Sequence, residues 1–339
     1  MTNTICLNEN YSTTRLLTKK KTIIENRLED KIKTVLFLPE SEGTKAIGGL
    51  RTKGYFKKSY EDKSLISIIT VVFNGEKYLE ETIQSVINQT NDNVEYIIID
   101  GGSNDGTLDI IKKYEGAIDY WISEKDSGIY DAMNKGISLC SGEIVGIVNA
   151  DDIIYSDTLS KVSEAISMRD IDYVHGSVHF MNEKGVVLGE MFSLSSEDIE
   201  NKKYIDIPFP HPSLFVKKNI YREIGLFNTT FKLSADYDFS LRLLGKNYKG
   251  FNLGMVTGKF RSGGNSGGIS TFVDTKNVLL SHSAPKVLVY KNMFFSIVKV
   301  FLLKYFPNFS LKLREKFRQK SRHKLYERSS EIKNEEHRK

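Results

Sequence analysis

The chain has 339 residues, 40% hydrophobic and 27% charged, the balance of a globular protein with room for one large domain or two modest ones. Its two cysteines, Cys6 and Cys140, are far apart, which excludes a disulfide framework and a thiolate metal site and points to a reducing compartment. The net charge of +5 hides an asymmetry: residues 286–339 carry 15 Lys/Arg against 5 Asp/Glu, leaving 33 bases and 38 acids for the rest.

The N-terminus lacks the apolar stretch of a secretory signal. No uncharged apolar run of about 18 residues exists, so no transmembrane helix is expected. Residues 1–64 are polar, rich in Lys, Glu and Thr. They hold one short apolar run, Val35 to Leu38, and end in a basic, glycine-containing stretch, Gly48 to Lys58. They read as an N-terminal extension without a fold signal.

From residue 65 the pattern changes. Leu65 to Val72 is a continuous β-branched run, as a strand buried on both faces should be. Asn74-Gly75 punctuates it, and Leu79, Ile83, Val86 and Ile87 then recur at helical spacing. A second strand, Tyr96 to Ile99, runs into Asp100-Gly101-Gly102, and Leu108, Ile111 and Tyr114 mark a second helix. Tyr120 to Ile122 is a third strand, Gly128 to Leu139 a helix, and Ile144 to Val148 a fourth strand before Asn149-Ala150-Asp151-Asp152. This β-α-β-α-β-α-β order predicts a mostly parallel sheet flanked by helices. Ligands of such sheets sit at the carboxyl ends of the strands. Here each strand ends in polar residues: Asn74, Asp100, Glu124 with Asp126, and Asp151 with Asp152.

Beyond residue 170, Val174 to Phe180 and Val186 to Met191 flank Asn182 to Gly185 as a predicted hairpin. Pro208, Pro210 and Pro212 break any helix around His211. Ser234 to Leu244 predicts a helix with Ser234 as N-cap and Asp236 in its first turn. Arg261 to Ser270, with four glycines, predicts a loop. Residues 286–306 are apolar but interrupted by lysines. Lys291, Asn292, Ser296 and Lys299 share one helical side, a pattern that suits either a helix in a membrane interface or one packed on the body. Residues 312–339 are almost wholly charged.

Several of these residues could carry chemistry. Asp151-Asp152 offers hard oxygen ligands for Mg2+ or Mn2+ bridging a diphosphate, though Asp residues after a strand also cap helices. The turn Asp100 to Thr107 is neither a Walker loop nor a Gly-x-Gly-x-x-Gly finger, and its acids would repel a bare pyrophosphate; a metal must then handle the phosphates. Asp236 reads as a helix-dipole partner or a general base, and His211 as a residue lining an acceptor pocket.

Taken together, Ile68 to Asn74, Glu80 to Val86 with Gln89-Thr90, Asp100 to Thr107, Asp126 to Gly136 and Asn149 to Asp152 resemble the inverting family 2 glycosyltransferases of the GT-A fold. The likeness is to the bacterial members that build O-antigen and other exopolysaccharides, and it covers about residues 65 to 275.

The resemblance implies a nucleotide-sugar-binding half at 65–160 and an acceptor-binding half at 161–275; residues 276–339, outside it, are expected to form an amphipathic, basic helical region. Thr70, Phe73 and Asn74 would line the base and ribose, with Glu76, Gly102 and Asn134 also at the donor. Asp100 would accept from the nucleobase, Asp151 would touch ribose or sugar, and Asp152 would ligate the metal. Asp236 would be the base, with His211 and Asp238 at the acceptor; the residue before Asp236 is Ala235, where the family carries an acid. Gly263-Gly264 with Ser266 resembles the segment that closes the site. Trp121, the single tryptophan, is not in the Gln-x-x-Arg-Trp setting of processive synthases, which implies transfer of one sugar.

The expected donor is a nucleotide-diphosphate sugar, UDP-linked, and the acceptor a glycan or lipid-linked glycan. The expected location is cytoplasmic, in peripheral contact with the inner face of the membrane, with no nucleic acid partner. The alternatives are a non-catalytic nucleotide-sugar-binding protein and a nucleotidyltransferase.

Overall fold

The computed structural model describes residues 4–61, 63–263 and 269–305. By contacts within the chain it forms two compact units, Met1–His282 and Ser283–Lys339. Both expected halves, 65–160 and 161–275, lie in the first unit together with the N-terminal residues.

The first unit is built on one ten-stranded sheet. In chain order its elements are β1 (Thr44–Gly48), β2 (Ile66–Val72), α1 (Leu79–Ile87), β3 (Val94–Asp100), α2 (Thr107–Lys113), β4 (Tyr120–Glu124), α3 (Ile129–Leu139) and β5 (Ile144–Ile147). There follow β6 (Ile153–Ile154), α4 (Thr158–Met168), β7 (Tyr173–Met181), β8 (Val187–Met191), α5 (Ser196–Lys202), β9 (Phe215–Lys217), α6 (Lys218–Ile224), α7 (Ala235–Leu244), β10 (Gly250–Arg261) and α8 (Ile269–Ser281). The second unit contains α9 (Lys286–Tyr305).

The β-branched runs behave as their composition requires. Every residue of β2 and β3 is buried. Alternation sends Ile69, Val71, Ile97 and Ile99 to one face, where α3 contributes Met133 and Ile137 and α7 contributes Phe239. It sends Ile66, Ile68, Tyr96 and Ile98 to the other, against Leu79, Ile83 and Val86 of α1 and Leu159 and Val162 of α4. Each such fully buried aliphatic side chain contributes roughly 1.5–3 kcal/mol.

The strand order is β1-β4-β3-β2-β5-β9-β7-β10-β6, with β8 paired to β7. Strands β4, β3, β2 and β5 are parallel neighbours. Strand β9 runs antiparallel to both β5 and β7, so those two share a direction, and β10 is parallel to β7. The carboxyl ends of β2, β3, β4, β5, β7 and β10 therefore lie along one edge. The predicted hairpin is β7–β8, with its turn at that same edge.

Two stretches differ from their sequence reading. The N-terminal residues are woven into the body. Strand β1 pairs antiparallel with β4, and the Arg51 guanidinium meets Glu95 at 2.6 Å with both side chains buried. Lys57, also buried, donates to the carbonyls of Ser12 and Arg15. The run Val35 to Leu38 makes no strand; the Val35 amide bonds the Ser138 carbonyl, and Phe37 packs edge-on against Tyr120. The other stretch is the glycine-rich segment. Arg261 closes β10 and Ile269-Ser270 open α8, so both ends of the predicted loop belong to regular elements. Gly264 and Ser266 lie outside the described residues, as do residues 306–339.

Among the described residues no helix is long and apolar enough to cross a membrane. On α9, Val287, Tyr290, Phe294 and Phe295 are exposed.

Candidate active site

The loops after β2 and β3 are laced together. The Asn74 amide donates to Ser103 Oγ (2.7 Å), the Gly75 amide to Thr107 Oγ1 (2.8 Å) and the Glu76 amide to Asp105 Oδ2 (3.1 Å). In return the Asn104 amide donates to Asn74 Oδ1 (2.9 Å) and the Gly106 amide to Glu76 Oε2 (2.7 Å). Asn74 takes a left-handed φ of 51°, which asparagine tolerates better than most residues. Phe73, 63% exposed, stands out from this lattice. Burial pushes the Asp105 carboxyl up, but the Thr107 hydroxyl and the Glu76 and Thr107 amides outweigh it and hold the group below the usual range.

The turn 100–107 is anchored from inside by Asp100. Its carboxylate accepts from the amides of Gly102 and Ser103 and from the hydroxyls of Ser103 and Ser123, with no exposed surface. Glycine is needed here twice. Gly102 has φ 86°, and a Cβ on Gly101 would lie 2.5 Å from Asp126 Oδ2. That contact sets the carboxylate of Asp126, at the entry to α3, against the turn.

The end of β5 carries the acidic pair. Asp152 is wholly buried; it accepts from the Arg261 amide (3.0 Å) and weakly from Asn149 Nδ2 (3.4 Å). Burial, then the neighbouring Asp151 charge, pushes its carboxyl well above the ordinary range. Burial also raises Asp151, opposed by its own amide and by Arg261. Asn149 Oδ1 is buried and has no hydrogen-bond partner. Two carboxylates that repel, beside an orphaned amide oxygen, are oxygen donors of the kind that suits a hard divalent cation. Among the described residues no cluster of three or more His, Cys, Asp or Glu side chains could hold an ion. Such a cation would take its remaining ligands from substrate phosphates and water, as Mg2+ commonly does.

Arg261 unifies this corner. Its Nε donates to the Asp151 carbonyl (3.0 Å), one terminal nitrogen to the Glu183 carbonyl (3.0 Å) and the other to Glu81 Oε2 (2.7 Å). The guanidinium lies 4.1 Å from the Tyr78 ring centroid. It ties β5, β10, α1 and the β7–β8 turn at one point. The glycines that follow Arg261 mask it in the sequence pattern; its place at the end of a Gly-, Val- and Phe-containing strand is the available signal.

Asp236 lies in the first turn of α7, half-buried, with Oδ1 accepting from the Tyr130 hydroxyl at 2.8 Å. Tyr130 is in the first turn of α3, the helix that follows the carboxyl end of β4, so Asp236 joins the edge where the strands end. His211 sits near Asp236 on a single helical turn, His211–Ser213, with Nε2 buried and unpartnered. Burial lowers its affinity for a proton, and Asp236 opposes that.

The structure thus gathers Phe73, Asn74, Glu76, Gly102, Asp151, Asp152, Asp236 and His211 along the site edge. Four other expected residues are used internally. Thr70 Oγ1 accepts from the Tyr96 hydroxyl inside the core. Asp100 is saturated by its own turn and by Ser123 of β4. Asn134 spends both ends of its amide on the Phe227 backbone (2.9 Å each), pinning a ring that packs between Tyr130 and Phe239. Asp238 is buried, paired with Arg242 one helical turn on and with His282, each at 2.9 Å. Ser234 occupies the N-cap position of α7, but its hydroxyl bonds Thr275.

The family model of Glycosyl transferase family 2 matches residues 67–225. An uncharacterized glycosyltransferase of Methanocaldococcus jannaschii is 33% identical over 196 residues, 56% of this chain and 67% of its own. The PGL/p-HBAD biosynthesis glycosyltransferase of Mycobacterium bovis is 31% identical over 183 residues, 52% of this chain and 69% of its own. Among solved structures, GalNAc-T7 with UDP, GalNAc and Mn2+ is similar with a TM-score of 0.50 at 16% identity, over 65% of this chain and 48% of that one.

Proposed function

The chain belongs to the family 2 glycosyltransferases, and on that premise we propose that it transfers a single sugar from a UDP-linked donor to a hydroxyl of a glycan or lipid-linked acceptor, inverting the anomeric centre. One observation carries the reading: a half-exposed carboxylate, Asp236, held by Tyr130 on the same sheet edge as the Asp151–Asp152 pair. A general base and an acidic phosphate-side pair are the two groups a direct displacement needs.

In this mechanism the donor's nucleoside lies over the laced loops 73–76 and 101–107, against Phe73. Its diphosphate faces the end of β5, where Asp152, Asp151 and Asn149 Oδ1 would hold Mg2+ or Mn2+. A divalent ion bound there offsets the charge that builds on the departing nucleoside diphosphate. Arg261 keeps the Asp151 carbonyl and the Asp152 carboxylate in place. Asp236 takes the proton from the acceptor hydroxyl, whose oxygen forms the bond to the anomeric carbon as the bond to the diphosphate breaks. Tyr130 fixes one carboxylate oxygen so that the other faces the acceptor. His211, next to Asp236, lines the acceptor side. Asp238 supports α7 through Arg242 and His282 rather than meeting the acceptor.

The role extends to cell-surface polysaccharide synthesis at the cytoplasmic face of the membrane, with the exposed aromatic residues of α9 and the basic stretch after it making peripheral contact. The deciding experiment incubates purified protein and Mn2+ with a panel of nucleotide sugars, reading nucleoside diphosphate release and the product's anomeric configuration. Release from one donor with inverted product is expected; retained configuration or no release from any donor overturns the reading.

A further inference from the structure

From the geometry of β1 we infer that Lys45 is a positioning residue for the donor site, so that the N-terminal residues brace a turn that the family-matched stretch holds only from beneath and on one flank. Lys45 Nζ lies 2.8 Å from the Gly102 carbonyl, 3.0 Å from the Ser103 carbonyl and 3.0 Å from Asn104 Oδ1. All three ammonium hydrogens are thereby spent on one turn, the turn that faces the nucleotide in the proposal above, on which this inference rests. Lys45 lies outside residues 67–225.

The physical case comes from what the turn lacks. Residues 101–106 include three glycines, and Gly102 is in a conformation that costs little to leave. Asp100 anchors the turn from beneath, and the loop after β2 braces one flank. Lys45 braces the other. Its own place is fixed by register: in β1, Thr44 pairs with Glu124 and Ala46 with Ser123, which sets the intervening lysine beside the turn where the ladder shifts. Thr44 Oγ1 also reaches Glu124 Oε2 (3.3 Å), whose other oxygen is held by Lys135 at 2.6 Å. The lysine also brings a positive charge to a turn bearing Asp100 and Asp105 and braced by Glu76, easing the approach of an anionic ligand. Charge-assisted contacts to carbonyl oxygens are stronger than neutral ones.

The test compares the full-length wild type with Lys45→Met and Lys45→Arg. It uses titration with UDP plus Mn2+, steady-state kinetics with the donor identified above, and thermal melting. We expect Lys45→Met to raise the UDP dissociation constant and the donor KM by about 10-fold, with kcat within about 2-fold and an unchanged melting temperature. Lys45→Arg, which keeps charge and donors, should recover most of the loss. Unchanged UDP binding and KM in Lys45→Met, or a loss seen only as a lower melting temperature, overturns the assignment. If the wild type itself binds no nucleoside diphosphate, the nucleotide site is overturned, and the role of Lys45 with it.

Discussion

The Tyr130 hydroxyl donates to Asp236 Oδ1 at 2.8 Å, joining the first turn of α3 to the first turn of α7. In the proposed mechanism α3 belongs to the nucleotide side and α7 to the acceptor side, so this bond would set the distance between the two halves of the reaction. Asp236→Asn should lower kcat about 10²–10⁴-fold with donor binding unchanged. Tyr130→Phe should cost about 10-fold, since it removes orientation and leaves the carboxylate. Steady-state kinetics with donor and acceptor varied separately check both, and near wild-type turnover in Asp236→Asn removes it as the base.

Asp152 is buried beside a like charge, so without a cation it weakens the fold that carries it. Asp152→Asn should stabilise the metal-free protein by about 1–2 kcal/mol while abolishing metal-dependent transfer. The wild type should gain stability on adding Mn2+ and lose activity in EDTA; the variant should show neither response. Denaturant unfolding with and without the ion measures it.

Asp238 is the opposite case, a buried carboxylate that is fully paired. Burial pushes it up, but the His282 hydrogen bond and the Arg242 charge dominate and hold it below the usual range. Asp238→Ala leaves Arg242 and His282 without their acceptor and should cost about 2–4 kcal/mol. Acceptor KM should stay unchanged in the folded fraction. A large acceptor KM effect at full stability would restore it to the acceptor site.

His175 titrates into instability. It is buried, with its ring tilted against Phe209 at 4.5 Å between centroids and bonded through Nδ1 to Ser193, and burial pushes it down to about 4. A histidine depressed on folding binds fewer protons than in the unfolded chain. Its contribution is full above pH 6.5 and lost as the pH falls towards 4, on the order of 3 kcal/mol. Unfolding free energies measured from pH 7 to 4 should fall with a slope that flattens in His175→Gln.

The sequence was most readable where backbone and side chain obey one rule. Strands β2, β3 and β5 are rich in β-branched residues, so their burial and the polar residues that follow them could be read directly. Side-chain allegiance was less readable. Thr70, Asp100 and Asn134 fall in the matched motifs, yet each bonds a protein group, because a polar side chain serves a ligand or a neighbouring protein group with the same chemistry. Arg261 was hidden by the glycines that follow it. Residues 4–63 were hidden for another reason: Lys45, Arg51 and Lys57 act singly, through contacts far along the chain, and leave no periodic trace.

The Arg51–Glu95 pair has a bearing on how this protein can be divided. Homology draws its line near residue 67, but thermodynamics does not. A chain trimmed to that line would strip β1 from the margin of β4 and strand Glu95 in the interior without its cation, a cost of about 3–5 kcal/mol before any lost packing is counted. The stretch that the family model matches and the stretch that the buried contacts hold together are, in this molecule, two different lengths of polypeptide.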